Sequence, residues 1–330
     1  MKNRYNYSWL MGHPPNDTNS TLHNGALGGF ALSFLRPLLI FLLLAVLVTG
    51  SEAASPDELS KLPWPLLPKV SKLNNDQRAA LFEALKQEPN YGECKDTILS
   101  CLRKTNPDKT AVRVTNFCAH LLSLGIPPVH YGGLIKERAK FVNAEVLDFF
   151  SFEETPIMGN DRAPITIVEF AEFKCRYCVT MGPILKKLVE ESNGNVRLLF
   201  KHFPLKSHPG AALASKASQA AHRQGKFWEM YELLFRNMEK HEMEDLLRYA
   251  EELGLDIEKF KRDMEDSQLA QVIERDKMEG LKANLKGTPT LFINGKLYQL
   301  RHEDFFLKDV INEEAERLKI RPPYKEWAYP

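Results

Sequence analysis

Apolar residues return at helical spacing from about residue 76 onward. Leu81, Phe82 and Leu85 share one face, Ile98, Cys101 and Leu102 a second, and Val114, Phe117, Cys118, Leu121 and Leu122 a third. Thr105-Asn106-Pro107-Asp108 reads as a turn between the last two. The pattern predicts a small helical, cysteine-containing module over 76–130, closed by Pro127-Pro128 and Gly132-Gly133. The period changes near Ala163. Residues 165–170 (ITIVEF) are a β-branched run bounded by Pro164, the signature of a buried strand. A helix follows from Cys175 to about Glu191, broken by Asn193-Gly194-Asn195, and residues 196–203 (VRLLFKHF) form a second strand. A long helical stretch over about 211–285 carries Phe227, Met230, Tyr231, Leu234, Phe235 and Met238 on one face. Two strands, 290–293 and 296–300, then flank Asn294-Gly295, a strong hairpin signal, and a last helix runs from about Glu303 to Lys319. The fold class is α/β, preceded by helices.

The start of the chain reads differently. Residues 38–48 (LLIFLLLAVLV) are unbroken apolar sequence after Arg36-Pro37, and Ser51-Glu52-Ala53 offers a small-x-small cleavage pattern. Residues 1–54 are therefore expected to be a signal peptide or N-terminal anchor. Eleven residues fall short of the ~20 that span a bilayer, which favours the cleaved signal; counting back to Phe30 makes residues 30–48 a possible anchor. Residues 55–75, with Pro56, Pro63, Pro65 and Pro68, read as an extended linker. The chain is expected to work outside the cytoplasm, in the periplasm.

Charge adds little: 44 Lys and Arg against 43 Asp and Glu give no basic surplus for nucleic acid, so function must come from a local site. Cysteine usage adds more. There are five: Cys94, Cys101, Cys118, Cys175 and Cys178. In an exported protein disulfides persist, and the odd count leaves at least one thiol unpaired. A helical hairpin turning near Pro107 would set Cys94 level with Cys118, which could then bridge and leave Cys101 buried. A Cys101–Cys118 bridge, or zinc held by the three thiols and His120, are the alternatives. Cys175-Arg176-Tyr177-Cys178 stands apart, since no second pair or ligand-spaced histidine accompanies it.

The order strand, Cys-x-x-Cys helix, strand, helices, hairpin, helix resembles the thioredoxin superfamily in its DsbA-like branch, where a helical domain interrupts the fold. The likeness covers about 156–320, with the insertion at about 207–285. Cys175-Arg176-Tyr177-Cys178 follows a strand and opens a helix; Glu169 lies six residues earlier, where the family places a buried carboxylate; Gly182-Pro183 matches the proline of the active-site helix; and Gly287-Thr288-Pro289-Thr290 matches the segment of the cis-proline. Arg176-Tyr177 is neither the Gly-Pro of reducing thioredoxins nor the Pro-His of DsbA, and Tyr177 and Thr288 are closer to the isomerase relatives.

The resemblance implies thiol–disulfide exchange. Cys175 at a helix N-terminus, flanked by Lys174 and Arg176, should favour thiolate and attack; Cys178 resolves the mixed disulfide; Glu169 carries its proton. Thr288 and Pro289, with Arg176 and Tyr177, should meet an extended substrate. The expected substrates are exported proteins bearing cysteines, with a membrane redox partner, quinone-linked or thiol-reducing. Neither a bound cofactor nor a metal is implied, because the sulfurs carry the chemistry. Oxidation is favoured over isomerisation or reduction. The rival reading is a redox-inactive chaperone or binding module of the same fold.

Overall fold

The computed structural model describes residues 61–329. The expected signal or anchor, residues 1–54, lies outside the described residues. Among the described residues no helix is long and apolar enough to cross a membrane.

A five-stranded sheet carries the site. Its strands are β1 (Ile157–Gly159), β2 (Ile165–Ala171), β3 (Val196–His202), β4 (Thr290–Ile293) and β5 (Lys296–Tyr298), in the order β1-β3-β2-β4-β5. β2 and β3 run parallel, and the other neighbours antiparallel. β2 is thus central, with Glu169 opposite Phe200 on one side and Leu291 on the other. A parallel pair needs a crossover, here helix α5 (Arg176–Glu191), which continues through Pro183. The edge strand β1 had no counterpart in the sequence pattern, being three residues long.

Ahead of the sheet come α1 (Asn75–Leu85), α2 (Ile98–Leu102), α3 (Lys109–Ser123) and α4 (Tyr131–Val142). Asn74 and Gln77 form a capping box on α1, and the Asp108 carboxylate accepts from Thr110 and Ala111 N–H at the start of α3. α4 corrects the expected end of the module. Gly132-Gly133 opens a helix instead of closing one, because Tyr131, Ile135, Arg138 and Phe141 bury one face, and the Glu88 carboxylate lies over Gly132. The described part of the proline-rich stretch also departs from a free linker. Leu62, Leu67, Val70 and Leu73 are buried, and Asn116 on α3 bonds Lys69 N–H and the Leu66 carbonyl.

The long helical stretch resolves into five helices, α6 (Ala211–His222), α7 (Phe227–Arg236), α8 (Met243–Glu252), α9 (Ile257–Glu265) and α10 (Ser267–Lys282), inserted between β3 and β4. Their apolar faces join Phe173, Cys175, Cys178 and Phe200 in one core. The opposite sheet face packs Val168, Phe170, Leu199 and Phe292 against Phe150 and Phe203. The last helix, α11 (Asp304–Arg317), lies against β2 and α5 and is followed by a tail in which Tyr324 and Trp327 are buried. α11 also joins the N-terminal helices through buried ions. Arg113 and Arg138 both pair with Asp309, and Arg138 Nη2 lies 2.7 Å from Glu313 Oε2. Residues 61–329 thus lie within one compact unit.

The cysteine pairing corrects an expectation. Cys94 is bonded to Cys101, and Cys118 is a free, buried thiol. Neither the Cys94–Cys118 nor the Cys101–Cys118 bridge forms. Cys94 is not helical; it sits in an irregular loop held by Asp108, whose carboxylate accepts the Cys94 N–H at 2.9 Å and the Asn90 amide at 3.0 Å. This folds the loop onto α2, bringing the Cα atoms of Cys94 and Cys101 to 5.9 Å, an ordinary disulfide span. With two thiols joined and His120 packed edge-on against Phe305 and Trp327, the alternative zinc set is not assembled.

Candidate active site

β2 delivers the chain to the site. It ends at Ala171; Glu172, Phe173 and Lys174 turn; and Cys175 is the N-cap of α5, with extended backbone. The N-cap position sets the Cys175 sulfur among backbone N–H groups that have no helical partner. Cys178 lies one turn further on, and its N–H donates to the Cys175 carbonyl at 3.1 Å. Cys175 keeps 5% of its surface exposed and Cys178 none, and both are free thiols.

The two sulfurs are driven apart in acidity. Cys175 is pulled down to about 5, first by the hydrogen bond from the Cys178 thiol, against the opposing effect of burial; the Thr288 side chain and the Cys178 and Tyr177 N–H groups add to the pull. Cys178 is pushed up, first by burial and then by donating to Cys175. Lys174 and Arg176 were expected to matter here, but the main stabilising groups are these hydrogen-bond donors.

Glu169 is fully buried on the central strand, and neither carboxylate oxygen has a hydrogen-bond partner. Burial, followed by repulsion from Cys175, pushes it up to about 8. It therefore holds a proton at neutral pH, and it is close enough to raise Cys178 in turn. A neutral acid behind a sulfur that must alternately gain and lose a proton is suited to general acid–base work.

On the other side of Cys175 lies the segment before β4. The Thr288–Pro289 peptide bond is cis. The Thr288 carbonyl stands 3.2 Å from the Cys175 sulfur. The Thr288 hydroxyl, buried and without another partner, is the side-chain group that favours thiolate there. Arg176 and Tyr177 point outward, Tyr177 with 68% of its surface exposed. The structure therefore gathers Cys175, Cys178, Glu169, Thr288 and Pro289, leaves Arg176 and Tyr177 on the rim, and sets Cys94 apart from the site, in the loop before α2 where it is bonded to Cys101.

Three neighbours were not singled out from the sequence. Tyr231 of α7 presses its hydroxyl against Gly182 of α5, is buried without a partner, and is pushed up by burial and then by Glu169 and Cys178. It lines an apolar cavity of about 380 Å³ with Val179, Pro183, Trp228 and Phe235. Glu172 is fully buried three residues before Cys175, and its carboxylate meets His208. The acidic residue was visible in the EFAEFKC run, but nothing in the sequence joined it to a histidine 36 positions away.

Comparison with known proteins places this arrangement. Residues 151–313 match the family described as Thioredoxin. Among curated proteins, the Na(+)/H(+) antiporter NhaA 3 of Salinispora tropica is 35% identical over 167 residues, 50% of this chain and 26% of the antiporter. The Na(+)/H(+) antiporter NhaA of Herminiimonas arsenicoxydans is 34% identical over 140 residues, 42% of this chain and 22% of the antiporter. The chain thus spans about a quarter of the length of these curated relatives. Among solved structures, a thioredoxin-like oxidoreductase from Silicibacter pomeroyi is 29% identical with a TM-score of 0.46, covering 50% of this chain and 94% of that one. Oxidised BdbD from Bacillus subtilis is 26% identical with a TM-score of 0.44, covering 53% and 100%. The family match, the strand order around the Cys-x-x-Cys helix and the five helices inserted between β3 and β4 lead to one assignment: residues 151–313 form a thioredoxin-family domain with a helical insertion.

Proposed function

We propose that this domain is a protein thiol–disulfide oxidoreductase, with Cys175 as the exchanging sulfur, Cys178 as the resolving one and Glu169 as the proton carrier. The observation that carries the reading is the opposed pair of sulfurs, one drawn down to about 5 and the other pushed up, over a buried acid raised to about 8. In the oxidising direction a substrate thiolate attacks the Cys175 sulfur of the Cys175–Cys178 disulfide. Cys178 leaves and takes a proton from Glu169. A second substrate thiolate then attacks the mixed disulfide, Cys175 leaves as thiolate, and the two electrons of the new substrate disulfide rest on the cysteine pair.

Oxidation is the favoured direction, because a stabilised Cys175 thiolate stabilises the reduced enzyme. At pH 7, lowering the thiol from its ordinary 9.0 to about 5 favours the reduced form by about 3 kcal/mol, or about 60 mV towards oxidising potential. The expected substrates are cysteine-bearing exported proteins, and a membrane-bound redox partner would return the pair to the disulfide. The exposed rim of Arg176 and Tyr177, with the Thr288 backbone, supports an extended substrate lying across Cys175.

Equilibration of the Cys175–Cys178 pair in glutathione buffers, read by mass spectrometry, tests the reading. A potential well above about −180 mV marks an oxidase. A potential near or below about −270 mV marks a reductase and reverses the direction. Absence of a reversible two-electron couple would leave only a peptide-binding module.

A further inference from the structure

The buried carboxylate of Glu172 presents a physical problem that the exchange chemistry does not absorb. It sits three residues before Cys175 with no exposed surface, and a negative charge there opposes thiolate formation at Cys175. Yet the turn needs it. One oxygen, Oε2, accepts the Lys174 N–H at 2.7 Å, fixing the bend between β2 and the N-cap of α5. The Glu172 carbonyl accepts the Cys175 N–H at 3.3 Å, and its own N–H is directed at the Cys178 sulfur. The other oxygen, Oε1, meets His208 Nδ1 at 2.5 Å. His208 belongs to the turn that leads from β3 into the inserted helices; its N–H bonds the Leu205 carbonyl and its own carbonyl accepts the Ala211 N–H. About a third of its side chain reaches solvent. The other titratable groups at this corner are Glu169 behind the cysteines, Lys174 on the turn, and His241, which packs beside Gly210 from the inserted helices.

We propose that His208 and Glu172 form a positioning pair for Cys175: the imidazole, donating from Nδ1, screens the carboxylate that shapes the turn, so that the turn is held without a naked charge facing the nucleophile. The entrance to the inserted helices thereby sets the reactivity of the cysteine. This rests on Cys175 being the exchanging sulfur.

The test uses the full chain with its active-site pair reduced, following thiolate ultraviolet absorbance against pH. Because Cys178 and Cys118 are both pushed up, the low-pH step belongs to Cys175. In His208→Ala the step is expected to rise by about one pH unit, the effect of an unscreened like charge nearby. Glu172→Gln, which keeps an acceptor for Lys174 N–H but no charge, should not raise it, and Glu172→Gln/His208→Ala should return it to the wild-type position. A merely structural pair would not give this reversal. An unmoved step in His208→Ala, or a double variant that stays with the single, overturns the pair. A wild-type chain with no low-pH step overturns the reading of Cys175 itself and the pair with it, and so is distinguishable from a wild-type step that the variants leave alone.

Discussion

Glu169 should make the fold less stable than its geometry would otherwise allow, and the size of the effect is set by pH. Folded, the acid is held at about 8 by burial; unfolded, it returns to about its ordinary 4.5. The unfolded chain therefore releases a proton that the folded chain keeps. Stability falls as pH rises past 4.5, continues to fall up to about 8, and is flat beyond it. At about 1.4 kcal/mol per pH unit, the penalty at pH 7 is about 3 kcal/mol. Glu169→Gln removes the titration and keeps the shape. The buried amide has its own desolvation penalty, but that part does not depend on pH. Urea unfolding of wild type and variant, with the active-site pair reduced, should show the variant gaining about 3 kcal/mol on wild type between pH 4 and pH 7. A gap between the two proteins that is constant with pH would refute the argument, since it would mean the carboxyl titrates alike in both states. The same variant should turn over slowly, because Cys178 loses its proton carrier.

Other outcomes follow from the same structure. Cys178→Ser, incubated with a disulfide-bearing substrate, should attack it through the Cys175 thiolate and hold one half as a stable mixed disulfide while the other half leaves as thiolate, visible by mass spectrometry under non-reducing conditions, while Cys175→Ser should trap none. Cys94→Ser should lower stability by about 2.5 kcal/mol in denaturant titration, the chain-entropy value for so short a closed loop, and leave the potential of the active-site pair unchanged. Peptide mapping of native protein should find Cys94 joined to Cys101 and Cys118 alkylated only after unfolding. Arg138→Met should lower stability by about 3–5 kcal/mol, because it takes from the buried Glu313 its main partner and leaves Asp309 with Arg113 alone.

The strands and the active-site helix were legible because they are strong local signals: a β-branched run before Cys175, and Asn294-Gly295 between two short strands. The family resemblance supplied Glu169 and Pro289, which no local pattern would have linked to the cysteines. What stayed hidden depends on contacts between distant residues. Gly132-Gly133 reads as a helix breaker, yet α4 forms because its apolar face has a partner. The proline-rich stretch reads as a linker, yet Asn116, some fifty positions on, ties it down. The disulfide was misplaced because helical spacing assigns Cys94 to a helix, whereas Asp108 draws it into a loop. Glu172 and His208 meet only after the sheet and insertion are assembled.

The sharing of α11 between two neighbourhoods bears on how this protein can be divided. By family match, a thioredoxin domain ends at residue 313. Asp309 and Glu313 on that helix nevertheless face inward to Arg113 and Arg138, which lie in the N-terminal helices. A fragment cut at residue 151 would keep both acids and lose both cations, and the surface it newly exposed would be built for burial. The stretch that matches the family and the stretch that packs together are thus different lengths of chain here, and the arginines of the N-terminal helices mark where the second extends past the first.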